Sequence, residues 1–163
     1  MEKKTISTEL TIYSSEKELS NEDMSLLEDA REARQSAYAP YSEFHVGASL
    51  LLDDGTVVSG SNQENMAYPS GLCAERVAFF HYGAHHRGKK IVRLAITASS
   101  TEFPSDHPVT PCGACRQAML EYELLQNSPI QILMQGSSGN VFSVESVQEL
   151  LPLFFLENGL KKH

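Results

Sequence analysis

Two short stretches, Cys73-Ala74-Glu75-Arg76 and Pro111-Cys112-Gly113-Ala114-Cys115-Arg116-Gln117, decide how this chain folds and what chemistry it can carry. Each predicts the start of a helix. Pro111 suits a first turn, because the N–H it lacks would have no partner there. Cys73 introduces a run in which Val77, Phe80 and Ala84 share one side. A helix N-terminus carries about half a positive charge and lowers the pKa of a thiol, so it favours thiolate ligands. Cys112 and Cys115, three residues apart, face the same way on a helix. With Cys73 they supply three of the four corners that zinc prefers. A fourth corner left to water is the arrangement of a catalytic site rather than a closed structural one. Glu75, two residues after one ligand, is a carboxylate placed to move protons there.

Outward from these helices, Leu26, Ala30, Ala33 and Ala37 recur at helical spacing over residues 21–37, and Pro40 ends the pattern. Residues 46–52 and 56–60 flank Asp53-Asp54-Gly55 and read as a β-hairpin. A polar segment, 62–71, leads into the Cys73 helix, which is expected to end between Gly83 and Gly88. Residues 91–98 read as a buried strand, and 99–110 as a loop. On the helix that follows, Cys112, Cys115, Met119 and Tyr122 share a face. Strands at 130–134 and 141–144 surround a turn at 136–140, and a short helix follows near 146–151. This order predicts a three-layer α/β/α domain around a five-stranded mixed sheet. Alternation of Ile6, Thr8, Leu10 and Ile12 with polar neighbours adds an extended arm or edge strand. Residues 1–20 are therefore read as an N-terminal extension, and 21–163 as a single domain.

The length of 163 residues agrees with one domain. Thirteen Lys and Arg against 21 Asp and Glu give a net charge of −8, with 41% hydrophobic residues. Nucleic-acid binding draws its non-specific affinity from clustered cations, so that partner class is disfavoured. The longest apolar runs, such as 150–156, fall far short of the roughly 20 residues that span a bilayer, so no membrane partner is expected. The first twenty residues, MEKKTISTELTIYSSEKELS, contain no apolar leader, which predicts a reducing, cytoplasmic compartment. There the three cysteines are expected to bind metal or do chemistry rather than form disulfides.

Alternatives remain at this level. A C-x-x-C pair also occurs in thioredoxin-like redox proteins, but there it comes early in the domain, whereas only 48 residues follow Cys115. A closed structural zinc module would use His107, five residues before Cys112, as a fourth ligand. His81 and His85 have a spacing that could hold a metal. No acidic or cysteine partner adjoins them and Gly83 intervenes, so they read as a solvated helix end.

Taken together, the two cysteine stretches resemble the signature of the cytidine deaminase family, in its short-chain, three-cysteine form. Ala39-Pro40-Tyr41-Ser42-Glu43-Phe44 with Val46-Gly47-Ala48 resembles the family's P-Y-S-x-F-x-V-G-A segment. Residues 62–71 resemble its N-x-E-N-x-x-Y-P-x-G loop. The resemblance runs from about Asp23 to Phe155, with His45 standing where the family usually has Pro and Gln63 where it has Val or Ile.

The resemblance implies one Zn²⁺ per subunit, held by Cys73, Cys112 and Cys115, with Glu75 moving protons as water replaces the amine at ring carbon 4 of cytosine. It implies that Arg76 offsets the negative charge of three thiolates; Arg116 is open between that role and a surface salt bridge. Asn62 and Glu64 would hold the ribose 3′-hydroxyl, Phe44 would stack on the base, and the Ala74 backbone would help read the cytosine edge. Glu64, and a loop 61–72 without Lys or Arg, favour nucleosides over nucleotides. The apolar tail 150–156 suits equally packing on the chain's own core or a contact between subunits. By resemblance the chain is a homotetramer in which Phe155 enters a neighbour's site and Tyr68 lies near that contact. The implied function is deamination of cytidine and 2′-deoxycytidine in pyrimidine salvage. Deamination of another aminopyrimidine nucleoside or antibiotic, or a structural zinc module, are the alternatives.

Overall fold

A computed structural model describes residues 1–157 and Leu160; the last residues of the expected 21–163 domain, 158–159 and 161–163, lie outside the described residues. Six strands form one mixed sheet in the order β1-β6-β5-β4-β2-β3. They are β1 (Thr11–Tyr13), β2 (Phe44–Leu52), β3 (Val57–Ser61), β4 (Ile91–Ser100), β5 (Gln131–Gln135) and β6 (Val141–Val144). Only β4 and β5 pair in parallel, which requires the crossover made by α3 (Gly113–Gln126). The other helices are α1 (Asn21–Arg34), α2 (Ala74–His85) and the short α4 (Val147–Leu150).

The sheet has six strands where five were expected. The extra one is β1, which pairs with β6 from Thr11↔Ser143 to Tyr13↔Val141. Only the end of the alternating segment pairs, because β6 itself is four residues long.

Strand residues alternate between two cores, as a period of two requires. Leu50, Leu94, Ile96, Ile132 and Met134 face α2 and α3, while Leu51, Ala95 and Leu133 face Leu26, Leu27 and Ala30 of α1. That makes three layers, with α1 alone on one side. On α2 the inward face is Ala74, Ala78, Phe79 and Tyr82, not the side carrying Val77, Phe80 and Ala84; Phe80 is exposed. Small residues decide this. A Cβ at Gly60 of β3 would lie 2.6 Å from the Ala78 nitrogen and 3.0 Å from the Ala74 oxygen. Glycine there lets the start of α2 lie directly on the sheet and brings Cys73 to its edge.

Candidate active site

Cys73 and Cys112 are the N-cap residues of α2 and α3, both in extended conformation. Cys115 is buried in the first turn of α3. The three Sγ atoms lie within 4.8 Å of one another, the only such metal-competent cluster among the described residues. Cys73 and Cys112 Sγ are 3.8 Å apart, and Cys112 and Cys115 Sγ 3.5 Å. A tetrahedral zinc with Zn–S near 2.3 Å needs sulfurs about 3.8 Å apart, so this donor set fits the ion. No fourth protein ligand joins the cluster among the described residues. His107 stands exposed, its Nδ1 3.8 Å from the Asp106 carboxylate.

Electrostatics at the cluster follow from burial and sulfur contacts. A hydrogen bond from Cys115 holds the Cys73 thiol down at about 5, with Arg76 adding to the effect. The Cys115 thiol is correspondingly held well above its usual range, first by that bond to Cys73 and then by burial. Metal entry must displace this proton. Burial pushes the Glu75 carboxyl up to about 7, and the negative Cys73 adds to the shift. Burial opposes the Arg76 charge, but bonds and attraction to Cys73 and Cys115 outweigh it and raise its pKa. Arg76 Nη2 also reaches the Gly71 oxygen at 3.4 Å, while its buried Nε has no partner.

Above the sulfurs lies a cavity of about 390 Å³, within the range of roughly 300–1,000 Å³ for small-molecule sites. Phe44, Asn62, Glu64, Tyr68, Cys73, Glu75 and Cys112 all line it. Seven of the residues singled out from sequence thus converge. Ala74 is wholly buried behind them at the start of α2.

Local bonding explains how each is aimed. Glu43, with φ +50, turns the chain just before Phe44. Asn62 Oδ1 accepts from Val46 N at 2.8 Å and its Nδ2 donates to Phe44 O at 2.9 Å. This clamps the start of β2 and leaves one amide hydrogen and one lone pair for a ligand. Glu64 accepts from Tyr41 N at 2.8 Å and from the Ser42 hydroxyl, and the Ser42 bond in particular keeps its carboxyl ionised below the usual range. Tyr68 is largely exposed and meets Tyr41 edge-on, 6.0 Å between centroids.

Arg116 differs from expectation. Among the described residues it neither touches the thiolates nor forms a surface salt bridge. Its guanidinium donates to the Pro111 and Leu150 carbonyls at 2.7 and 2.8 Å and to Thr110 Oγ1 at 3.1 Å. Phe155, expected at a neighbour's site, does not line the cavity of its own chain and is 68% exposed. Gln117 holds its backbone by two bonds, accepting from Phe155 N at 3.2 Å and donating to Phe155 O at 3.1 Å.

Sequence reasoning missed Gln117, the cavity wall formed by Val109 and Thr110, and Phe103, whose ring stacks on Phe44. The Arg116-Gln117 pair following a ligand was visible, but its tail partners, Leu150 and Phe155, lie more than thirty residues away.

An open three-thiol cluster with a buried carboxylate beside it, at the foot of a concave site, defines a hydrolytic zinc enzyme. The pattern of the cytidine and deoxycytidylate deaminase zinc-binding region matches residues 20–127, and the chain belongs to that family. It is 41% identical over 128 residues to a cytidine deaminase of Halalkalibacterium halodurans, covering 78% of this chain and 89% of that one. A cytidine deaminase of Sporosarcina psychrophila is 38% identical over 135 residues, covering 83% and 92%. The crystal structure of cytidine deaminase from Burkholderia pseudomallei superposes with TM-score 0.69 at 37% identity, covering 81% of this chain and 98% of the other.

Proposed function

We propose that this chain catalyses zinc-dependent hydrolytic deamination of cytidine and 2′-deoxycytidine, giving the uracil nucleosides and ammonia. The observation that carries this reading is Glu75, 4% exposed, held beside three convergent thiols at the foot of the cavity. Cys73, Cys112 and Cys115 hold the zinc, one per subunit. When bound, zinc supplies a Lewis acid that makes water nucleophilic near neutral pH. Glu75, poised near 7 by burial, takes the proton of that water. It delivers that proton to ring nitrogen 3, then takes a second from the new hydroxyl on ring carbon 4 and passes it to the departing amine as the C–N bond breaks; each positioned transfer is typically worth about 10²- to 10⁴-fold. Arg76 offsets the charge of the thiolates. Phe44 stacks on the base, and the Ala74 backbone faces its polar edge. Asn62 and Glu64 bind the ribose 3′-hydroxyl, using the acceptor and donor capacity that their own loop leaves free.

The same reading extends outward. The product nucleosides suit pyrimidine salvage in the cytoplasm, and no helix among the described residues is long and apolar enough to cross a membrane. The domain runs over 21–163 after an N-terminal extension of residues 1–20, a boundary supported by the family match starting at residue 20. The exposed Phe155, Leu153 and Tyr68 support assembly as a homotetramer in which Phe155 reaches a neighbour's site and Tyr68 lies at the contact. Loss of cytidine absorbance, followed with and without chelator, tests the function. Cytidine and deoxycytidine should be turned over only without chelator, whereas cytosine, cytidine monophosphate and adenosine should be poor substrates. Chelator-resistant turnover would contradict the reading.

A further inference from the structure

Phe44 has a partner that the reaction itself does not require. The Phe103 ring lies 5.8 Å from it, centroid to centroid, with the planes only 19° apart. Phe44 lines the cavity, as do Val109 and Thr110 further along the loop that carries Phe103, but Phe103 itself does not. We infer that Phe103 is a positioning residue for substrate: it stacks on Phe44 from outside the cavity and fixes the ring that meets the base. The inference rests on the proposed function and specifies how that site recognises its substrate.

The loop is built to hold Phe103 in place. Ser105, two residues on, is 5% exposed. Its hydroxyl accepts from Ser100 N at 3.2 Å, and its carbonyl accepts from Ser137 N at 2.6 Å and Ser137 Oγ at 3.1 Å. A Cβ at Gly136 would lie 2.1 Å from the Ser105 oxygen and 2.5 Å from the His107 oxygen. Only glycine lets the β5–β6 turn approach the loop so closely. Both ends of the stack are therefore anchored. Phe44 is held by the Asn62 clamp on its carbonyl, and Phe103 by the Ser105 anchor. What remains free is rotation of the Phe44 side chain, and a stacked aromatic neighbour restricts it.

A ring pre-set for stacking lowers the ordering cost of binding without taking part in bond making. Its loss should therefore raise KM and leave kcat unchanged. Steady-state kinetics on cytidine should show KM for Phe103→Ala raised about 2- to 12-fold, the size of an aromatic pair. Phe103→Leu, which keeps apolar bulk over the loop and remains informative if the Ala variant folds poorly, should show the same direction. Phe103→Tyr, which keeps the stack, should restore the wild-type KM. Unchanged KM in the Ala and Leu variants, a kcat that falls as much as kcat/KM, or no restoration by Tyr would overturn the inference. A wild-type chain without cytidine turnover would sink the function reading and this inference together; an active wild type with those variant results would sink the inference alone.

Discussion

The first turns of α2 and α3 begin alike and end differently. Each is capped by a cysteine, and each places an arginine directly after a further chemically active residue, Glu75 or Cys115. Yet Arg76 turns toward the sulfurs, whereas Arg116 turns away to the Pro111 and Leu150 carbonyls. The side chain after it, Gln117, also faces the tail, gripping Phe155. One turn thus gathers charge around the thiols, and the other ties Cys112 and Cys115 to the C-terminal segment. Helix starts place the cysteines; what packs beside each start decides the task of the neighbouring residues.

The α2 turn should be the one whose ionisation is felt. In the metal-free chain the Glu75 pKa is raised from 4.5 to about 7, so folding favours the protonated carboxyl. That stabilisation is complete below the unfolded value and is lost as pH rises through the folded one. A shift of this size corresponds to about 3 kcal/mol. Denaturant unfolding of the chelated protein should therefore show Glu75→Gln gaining on wild type by that amount between about pH 4 and pH 8. A difference independent of pH would remove the special ionisation of the α2 turn.

Next in size comes the arginine contrast. Arg76→Gln should lower turnover by about 10- to 100-fold, as loss of an outer-sphere partner does, while most of the zinc is retained. An unchanged rate would make the two arginines equivalent. The smallest effect belongs to the tail: Gln117→Ala removes two partly exposed bonds and should cost about 1 kcal/mol of stability in thermal or denaturant unfolding. No change would mean that the α3 turn does not secure Phe155.

Cysteine spacing and the turn Asp53-Asp54-Gly55 were legible because each is a local signal, whereas Pro111 stands just before the Cys112 N-cap and not in the first turn of α3. Phe44, Asn62, Glu64 and Tyr68, which only resemblance supplied, line one cavity with Glu75. The inward face of α2 was not legible from its larger apolar residues. It is set by the contact of Ala74 and Ala78 with Gly60, and Phe80 is left outside. Nor could sequence show that β1 finds an edge on β6, that Asn62 spends half its amide on β2, or that Phe103 reaches Phe44. Each of these depends on a partner far along the chain.

In the proposed function, Glu75 moves the protons at a zinc held by the three cysteines alone. Zinc content and cytidine turnover measured side by side on Glu75→Gln test it most directly. One zinc per chain is expected, as in wild type, with turnover reduced by more than about 10⁴-fold because one carboxylate serves several transfers. A variant that keeps its zinc and deaminates cytidine at the wild-type rate would contradict it.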